Sequence, residues 1–151
     1  MRSDEHYMEM ALAEARQVAE RGEVPVGAVV VSPDDRVLGK SGNRPIELQD
    51  PSGHAEMLAM RQAAEVIGNY RLTGCTIYVT LEPCPMCAGA MVHARMGRVV
   101  FAAADPKGGG MISRYRIGTD GLLNHSLLVE GGLLAEESSR LLKDFFKERR
   151  G

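Results

Sequence analysis

Two short segments carry residue types that could do chemistry: His54-Ala55-Glu56 and, some thirty residues later, Pro83-Cys84-Pro85-Met86-Cys87. One imidazole and two thiols form a ligand set suited to zinc, and a carboxylate stands two residues from the imidazole. Three protein ligands leave the fourth position of a tetrahedral ion open, which marks a catalytic metal site rather than a structural one. Cys84 and Cys87 are three apart, so on a helix they share a face and can hold one ion. Glu56 is expected to diverge from His54 on a regular helix, which lets His54 bind the ion while Glu56 approaches from another side.

A lone CxxC could also be a redox pair or half of a structural zinc knuckle. A knuckle needs a second close Cys/His pair, and the remaining histidines, His6, His93 and His125, do not form one. A redox pair has no use for a neighbouring His-x-Glu. The chemistry expected is therefore hydrolytic. Zinc lowers the pKa of a bound water towards neutrality, and a carboxylate can take its proton and return it to a leaving amine. H-x-E…P-C-x-x-C is the pattern of zinc-dependent nucleobase deaminases. Cys75 reads as a core thiol, His93 as a satisfied or exposed helix histidine, His6 as surface and Met86 as pocket wall.

Helices and strands must position these groups. Met8, Ala11, Leu12, Ala15, Val18 and Ala19 repeat at helical spacing, so 4–21 reads as an amphipathic helix capped by Ser3 or Asp4 and ended by Gly22. Val24 to Val31 is a β-branched run expected as a strand buried on both faces. Ser32-Pro33-Asp34-Asp35 turns the chain into a second strand, 36–40, and Asn43 to Pro51 reads as a loop. Helical spacing returns over 54–67, followed by a strand over 75–81, a short helix over 84–95 and a buried strand over 98–102. The glycine-rich stretch 105–120 has no clear period, 127–130 reads as a short strand, and Leu134, Leu141, Leu142 and Phe145 mark a C-terminal helix. Cys84 follows a strand and His54 opens a helix, where partial positive charge favours a thiolate.

The 151 residues, 44% hydrophobic and 25% charged, fit one domain over 1–151 with one buried core. Net charge is −2, against a generally basic nucleic-acid coat, although Arg140, Lys143, Lys147, Arg149 and Arg150 form a local basic run. On its own that run reads as a solvated helix face. No apolar stretch reaches membrane-spanning length and the first residues lack a signal-peptide pattern, so a cytoplasmic protein is expected.

Longer motifs surround the metal residues: Glu23-Val24-Pro25-Val26-Gly27-Ala28, Asn43-Arg44-Pro45-Ile46, and Thr80 through Met91. With Gly97-Arg98-Val99-Val100-Phe101, Asp105-Pro106-Lys107, Asn124-His125, Phe145-Phe146 and Arg149-Arg150, nearly the whole chain resembles the bacterial tRNA-specific adenosine deaminases. The resemblance implies a three-layer α/β/α cytidine-deaminase-like fold around a central five-stranded mixed sheet, and a homodimer. It also implies conversion of adenosine to inosine at the wobble position of a tRNA anticodon loop. Carried over by motif, His54, Cys84 and Cys87 match the ligands of one zinc ion per subunit and Glu56 the proton shuttle. Asn43 matches a residue that binds the target nucleoside, and Val26 and Leu81 match pocket walls. Asp105 and Lys107 match an anticodon-contacting loop, and Phe145, Phe146, Arg149 and Arg150 match the helix that packs against the RNA.

An adenine reaches such a centre only when splayed out of its stack, which a single-stranded anticodon loop permits. The sequence departs from the family in two places. Gly53 replaces the common alanine before the zinc histidine, and Gly108 to Arg114 departs from the usual pattern on the RNA-facing rim. The alternatives are a deaminase of a free nucleobase or nucleoside (guanine, cytosine or cytidine) and a non-catalytic RNA-binding partner subunit. Against the latter stands Glu56, which a scaffold does not need.

Overall fold

The structure, a computed structural model, describes residues 3–150; of Arg150 only the backbone is described. Chain order is α1 (Asp4–Glu20), β1 (Gly27–Val31), β2 (Val37–Gly42), α2 (Pro45–Leu48), α3 (Ala55–Ile67), β3 (Thr76–Leu81), α4 (Pro85–His93), β4 (Arg98–Ala103), β5 (Leu128–Gly131) and α5 (Ala135–Arg150). The strands form one five-stranded sheet in the order β2-β1-β3-β4-β5. β1 runs antiparallel to β2 and β3, whereas β3–β4 and β4–β5 are parallel, so the sheet is mixed as expected.

Period-2 alternation explains the layers. Ala28, Val30, Ile77, Val79, Val99 and Phe101 face one cluster that includes Ala59 and Ala63 of α3 and Ala88 and Met91 of α4. Val29, Val31, Tyr78, Val100 and Ala102 face the other cluster, with Tyr7, Met8 and Ala11 of α1. α5 contacts α1, β3 and β4. Apolar residues on both sides of each central strand need helices on both faces, which gives the α/β/α layering.

Local signals set the helix ends. The Ser3 side chain accepts from the His6 N–H at 3.2 Å, with Asp4 and Glu5 in the first turn of α1. Gly68 ends α3 at φ 78°, a conformation that suits glycine.

Two segments depart most from the sequence reading. β1 starts at Gly27 rather than Val24, because the Val26 N–H bonds the Val24 carbonyl at 2.8 Å and the chain is still turning there. The expected loop 43–51 contains the short helix α2, whose first N–H groups are held by a buried carboxylate from Glu23: Ile46 at 3.2 Å and Glu47 at 2.8 Å. The 105–120 stretch forms neither helix nor strand. Among the described residues no helix is long and apolar enough to cross a membrane.

Candidate metal centre and the groove beside it

His54 and Cys84 occupy equivalent positions on two helices. Each is the N-cap, with extended backbone (φ −72°, ψ 150° and φ −73°, ψ 171°), and neither side chain caps its own helix. Both turn into a shared space at the end of β3. Cys87 lies in the first turn of α4, fully buried. His54 Nδ1 is 3.6 Å from Cys84 Sγ and 3.6 Å from Cys87 Sγ, and the three ligand atoms all lie within 4.8 Å of one another. Zn–N near 2.05 Å and Zn–S near 2.3 Å imply a tetrahedral N···S edge of about 3.6 Å. The donor set and its spacing therefore fit zinc.

The electrostatics suit a cation. The Cys87 thiol donates to Cys84 and, with His54 helping, pulls the Cys84 pKa down to about 4 against the cost of burial. Donation to Cys84, together with burial, pushes Cys87 far up. A metal binds both sulfurs as thiolates, which couples metal uptake to pH. His54 is raised above its ordinary value, chiefly by its bond to Cys84. Glu56, only 4% exposed, is raised to about 7, mainly by burial and further by Cys84, with its own backbone and His54 opposing.

Asn43 stands at the same helix start. Its Oδ1 accepts the Ala55 N–H at 2.8 Å, while its own N–H bonds the Val26 carbonyl at 3.0 Å. Since a backbone N–H must meet an acceptor, the amide is oriented with Nδ2 outward, and no partner for Nδ2 is found among the described residues. Val26 itself is buried in the core that includes α3 and α4.

A groove of about 860 Å³ runs between the loop after β4 and α5, lined among others by Val24, Leu81, Asp105, Lys107, Leu142 and Phe146. Four expected substrate residues, Leu81, Asp105, Lys107 and Phe146, thus converge. Phe145 is turned the other way: it is buried, and the Arg149 guanidinium lies 4.5 Å from its ring centroid. The Arg150 side chain lies outside the described residues. Met86, read as pocket wall, is 39% exposed, because with Pro85 it lies on the outer side of the first turn of α4, whose buried residues begin at Cys87.

Sequence reasoning missed Glu82. Its carboxylate is buried and receives the N–H groups of Asp105, Met111, Ile112 and Ser113. Burial pushes its pKa up, but the Ser113 hydroxyl and the backbone donors outweigh that and hold it below the ordinary carboxylate value. The only available signals were an acidic residue next to Pro83-Cys84 and a glycine run too far away in sequence to link to it.

Residues 1–103 match the family described as the cytidine and deoxycytidylate deaminase zinc-binding region. A tRNA-specific adenosine deaminase of Agrobacterium fabrum is 48% identical over 145 residues, 96% of this chain and 95% of the relative. One from Haemophilus influenzae is 48% identical over 147 residues, 97% of this chain and 85% of the relative. A solved structure from work on A-to-I editing by tRNA:A34 deaminases at the wobble position of transfer RNA superposes with TM-score 0.87. It is 48% identical, covering 91% of this chain and 99% of that one. The chain belongs to the cytidine and deoxycytidylate deaminase zinc-binding family, among relatives named tRNA-specific adenosine deaminase.

Proposed function

We propose that this protein hydrolytically deaminates adenosine to inosine at the wobble position of a tRNA anticodon, using one zinc ion per chain held by His54, Cys84 and Cys87. The observation that carries the chemistry is the buried Glu56 carboxyl beside a three-ligand group that leaves one position of a tetrahedral ion open. The choice of substrate is supported by near-full-length identity to relatives named for tRNA. A free nucleobase or nucleoside has less support, because those relatives match along α5 and the loop after β4 as well as at the metal residues.

Zinc bound there supplies the acidity that makes a water nucleophilic at neutral pH. Glu56 takes the water's proton and delivers it to the departing amine, so that ammonia leaves neutral. Asn43, its oxygen committed to Ala55, offers Nδ2 as a donor to an acceptor atom of the target nucleoside. Val26 and Leu81 wall the base, and Asp105, Lys107 and Phe146 meet the flanking nucleotides along the groove. Phe145, Arg149 and Arg150 belong to the same helix, with Phe145 and Arg149 serving first to seat it.

Residues 1–151 form one deaminase domain in this reading, supported by the single sheet that takes in all five strands. A homodimer is supported by an apolar hollow between α3 and α4, lined by Met57, Met60, Ala64, Leu72, Ala90 and Ala94. The cytoplasm, where tRNA is modified, is the compartment this activity requires. The test offers zinc-replete protein a wobble-adenosine stem-loop beside free guanine, cytosine, cytidine and adenosine, and follows ammonia and inosine. Inosine in the stem-loop alone supports the reading. Turnover of a free base with the stem-loop untouched overturns it.

A further inference from the structure

The loop after β4 and the metal-ligand segment after β3 are joined through one side chain. Glu82 extends the pairing of β3 with β4, its N–H bonding the Ala103 carbonyl at 2.8 Å. Its carboxylate then enters the loop. Oε1 takes the Asp105 N–H at 3.1 Å and the Ser113 hydroxyl, and Oε2 takes the N–H groups of Met111, Ile112 and Ser113 at 3.3, 2.9 and 2.9 Å. Five donors fill the capacity of a carboxylate with about four lone-pair sites. Among the described residues no Lys, Arg or His forms an ion pair with it. The charge is held by four backbone N–H groups and one hydroxyl, so it constrains the loop's path and not merely its location.

The glycines complete the fit. A Cβ on Gly109 would collide with the Glu82 carboxylate, and one on Gly110 would lie 2.7 Å from the Cys84 carbonyl carbon. The Gly110 N–H bonds the Pro83 carbonyl at 2.7 Å, so the loop lies along Pro83-Cys84-Pro85. Asp105, held at its N–H by Glu82, in turn accepts from the N–H groups of Lys107 and Gly108, both at 3.1 Å. Residues 105–108 line the groove. The glycine-rich departure from the family pattern is thus the part of the chain that wraps Glu82.

We infer that Glu82 is a positioning residue that sets the groove rim, 105–108, against the metal ligand Cys84 and thereby governs substrate affinity; the kinetic part rests on the RNA-editing reading above. His54, Cys84 and Cys87 are anchored by their own helices, so loss of Glu82 leaves the ion in place while the rim moves. Glu82→Gln turns one acceptor into a donor facing backbone donors. Gly109→Ala pushes the loop from the other side with no change of charge.

The experiment measures zinc content, stem-loop kinetics and amide hydrogen exchange on wild type, Glu82→Gln and Gly109→Ala, with Ser113→Ala as a milder variant. Expected are unchanged zinc, KM raised about tenfold and kcat within about threefold for both main variants. Faster exchange confined to 105–113, with α4 still protected, is also expected. Ser113→Ala should move KM in the same direction by less. Zinc loss with lowered kcat and unchanged KM would make Glu82 a mere part of the fold and overturn the inference. So would unchanged exchange at 105–113 in folded variants, whatever the substrate. If wild type does not edit the stem-loop, the functional reading fails, while the exchange arm still decides the link between rim and ligand segment.

Discussion

His54 Nδ1 and Cys84 Sγ lie 3.6 Å apart at the N-caps of two different helices, α3 and α4. Two helix starts therefore aim their partial positive charge into one small space, which favours thiolate and carboxylate and suits the anionic ligand set of a metal. Cys87, one turn into α4, closes the set, and Glu56, in the first turn of α3, stands beside it without belonging to it.

That division of labour separates two substitutions. Cys87→Ala should leave well under one zinc per chain and no measurable inosine formation. Glu56→Ala should keep its zinc and lose about 10²–10⁴-fold in kcat, the usual scale of general acid–base catalysis. Elemental analysis beside turnover checks both; zinc loss from the glutamate variant would show that Glu56 holds the ion.

Lys107 and Arg149 should behave differently towards RNA. Lys107 is exposed on the groove, whereas Arg149 is stacked on Phe145 and reaches towards Gly22 at the end of α1. Lys107→Gln should reduce the slope of log affinity against log salt by about 0.7, the value for one contact to a single strand. Arg149→Gln should lower the melting temperature more than it changes that slope. Equal slope changes in the two variants would mean that Arg149 leaves its ring to meet phosphate.

Acid should weaken the link between α1 and β4. Asp4 accepts from Arg98 at 2.5 Å and from the Tyr78 hydroxyl at 2.6 Å, and these bonds hold its pKa below the ordinary 3.8, with the Arg98 bond the largest cause. A depressed carboxylate contributes stability above its unfolded pKa and loses it as pH falls through its folded pKa. Asp4→Asn should therefore cost about 1 kcal/mol at pH 7, a figure kept small because the pair is partly exposed. The gap between wild type and variant should close below pH 3.8. Thermal melts across pH test this, and a gap that persists in acid would contradict it.

Gly27 lets the backbone of α1 lie close against β1. A Cβ there would overlap the Ala11 carbonyl oxygen and lie 2.8 Å from the Ala15 nitrogen. Gly27→Ala should cost about 3 kcal/mol, the upper range for overpacking, and lower the melting temperature by roughly 10 °C. A variant as stable as wild type would show that α1 can shift away without loss.

The metal residues were legible because their spacing is local: three positions separate Cys84 from Cys87, and two separate His54 from Glu56. The alternation in β1, β3 and β4 was equally local, so the buried sheet could be read. The groove was less legible. Adjacent residues on a helix diverge by about 100°, and composition does not say that Phe146 faces the groove while Phe145 faces the core. Glu82 was hidden because its partners lie 23 to 31 residues further on, in a segment without a period. Glu23 was hidden for a similar reason, since its partners on α2 are 23 and 24 residues away.

Zinc-dependent editing is tested by loading metal-stripped protein with increasing zinc and counting inosine formed at the wobble position of an anticodon stem-loop. Turnover should rise in proportion to bound zinc, level off at one ion per chain, and release one ammonia per inosine. Full turnover by metal-free protein, or a zinc-loaded protein that leaves the stem-loop adenosine unchanged, would contradict zinc-dependent editing.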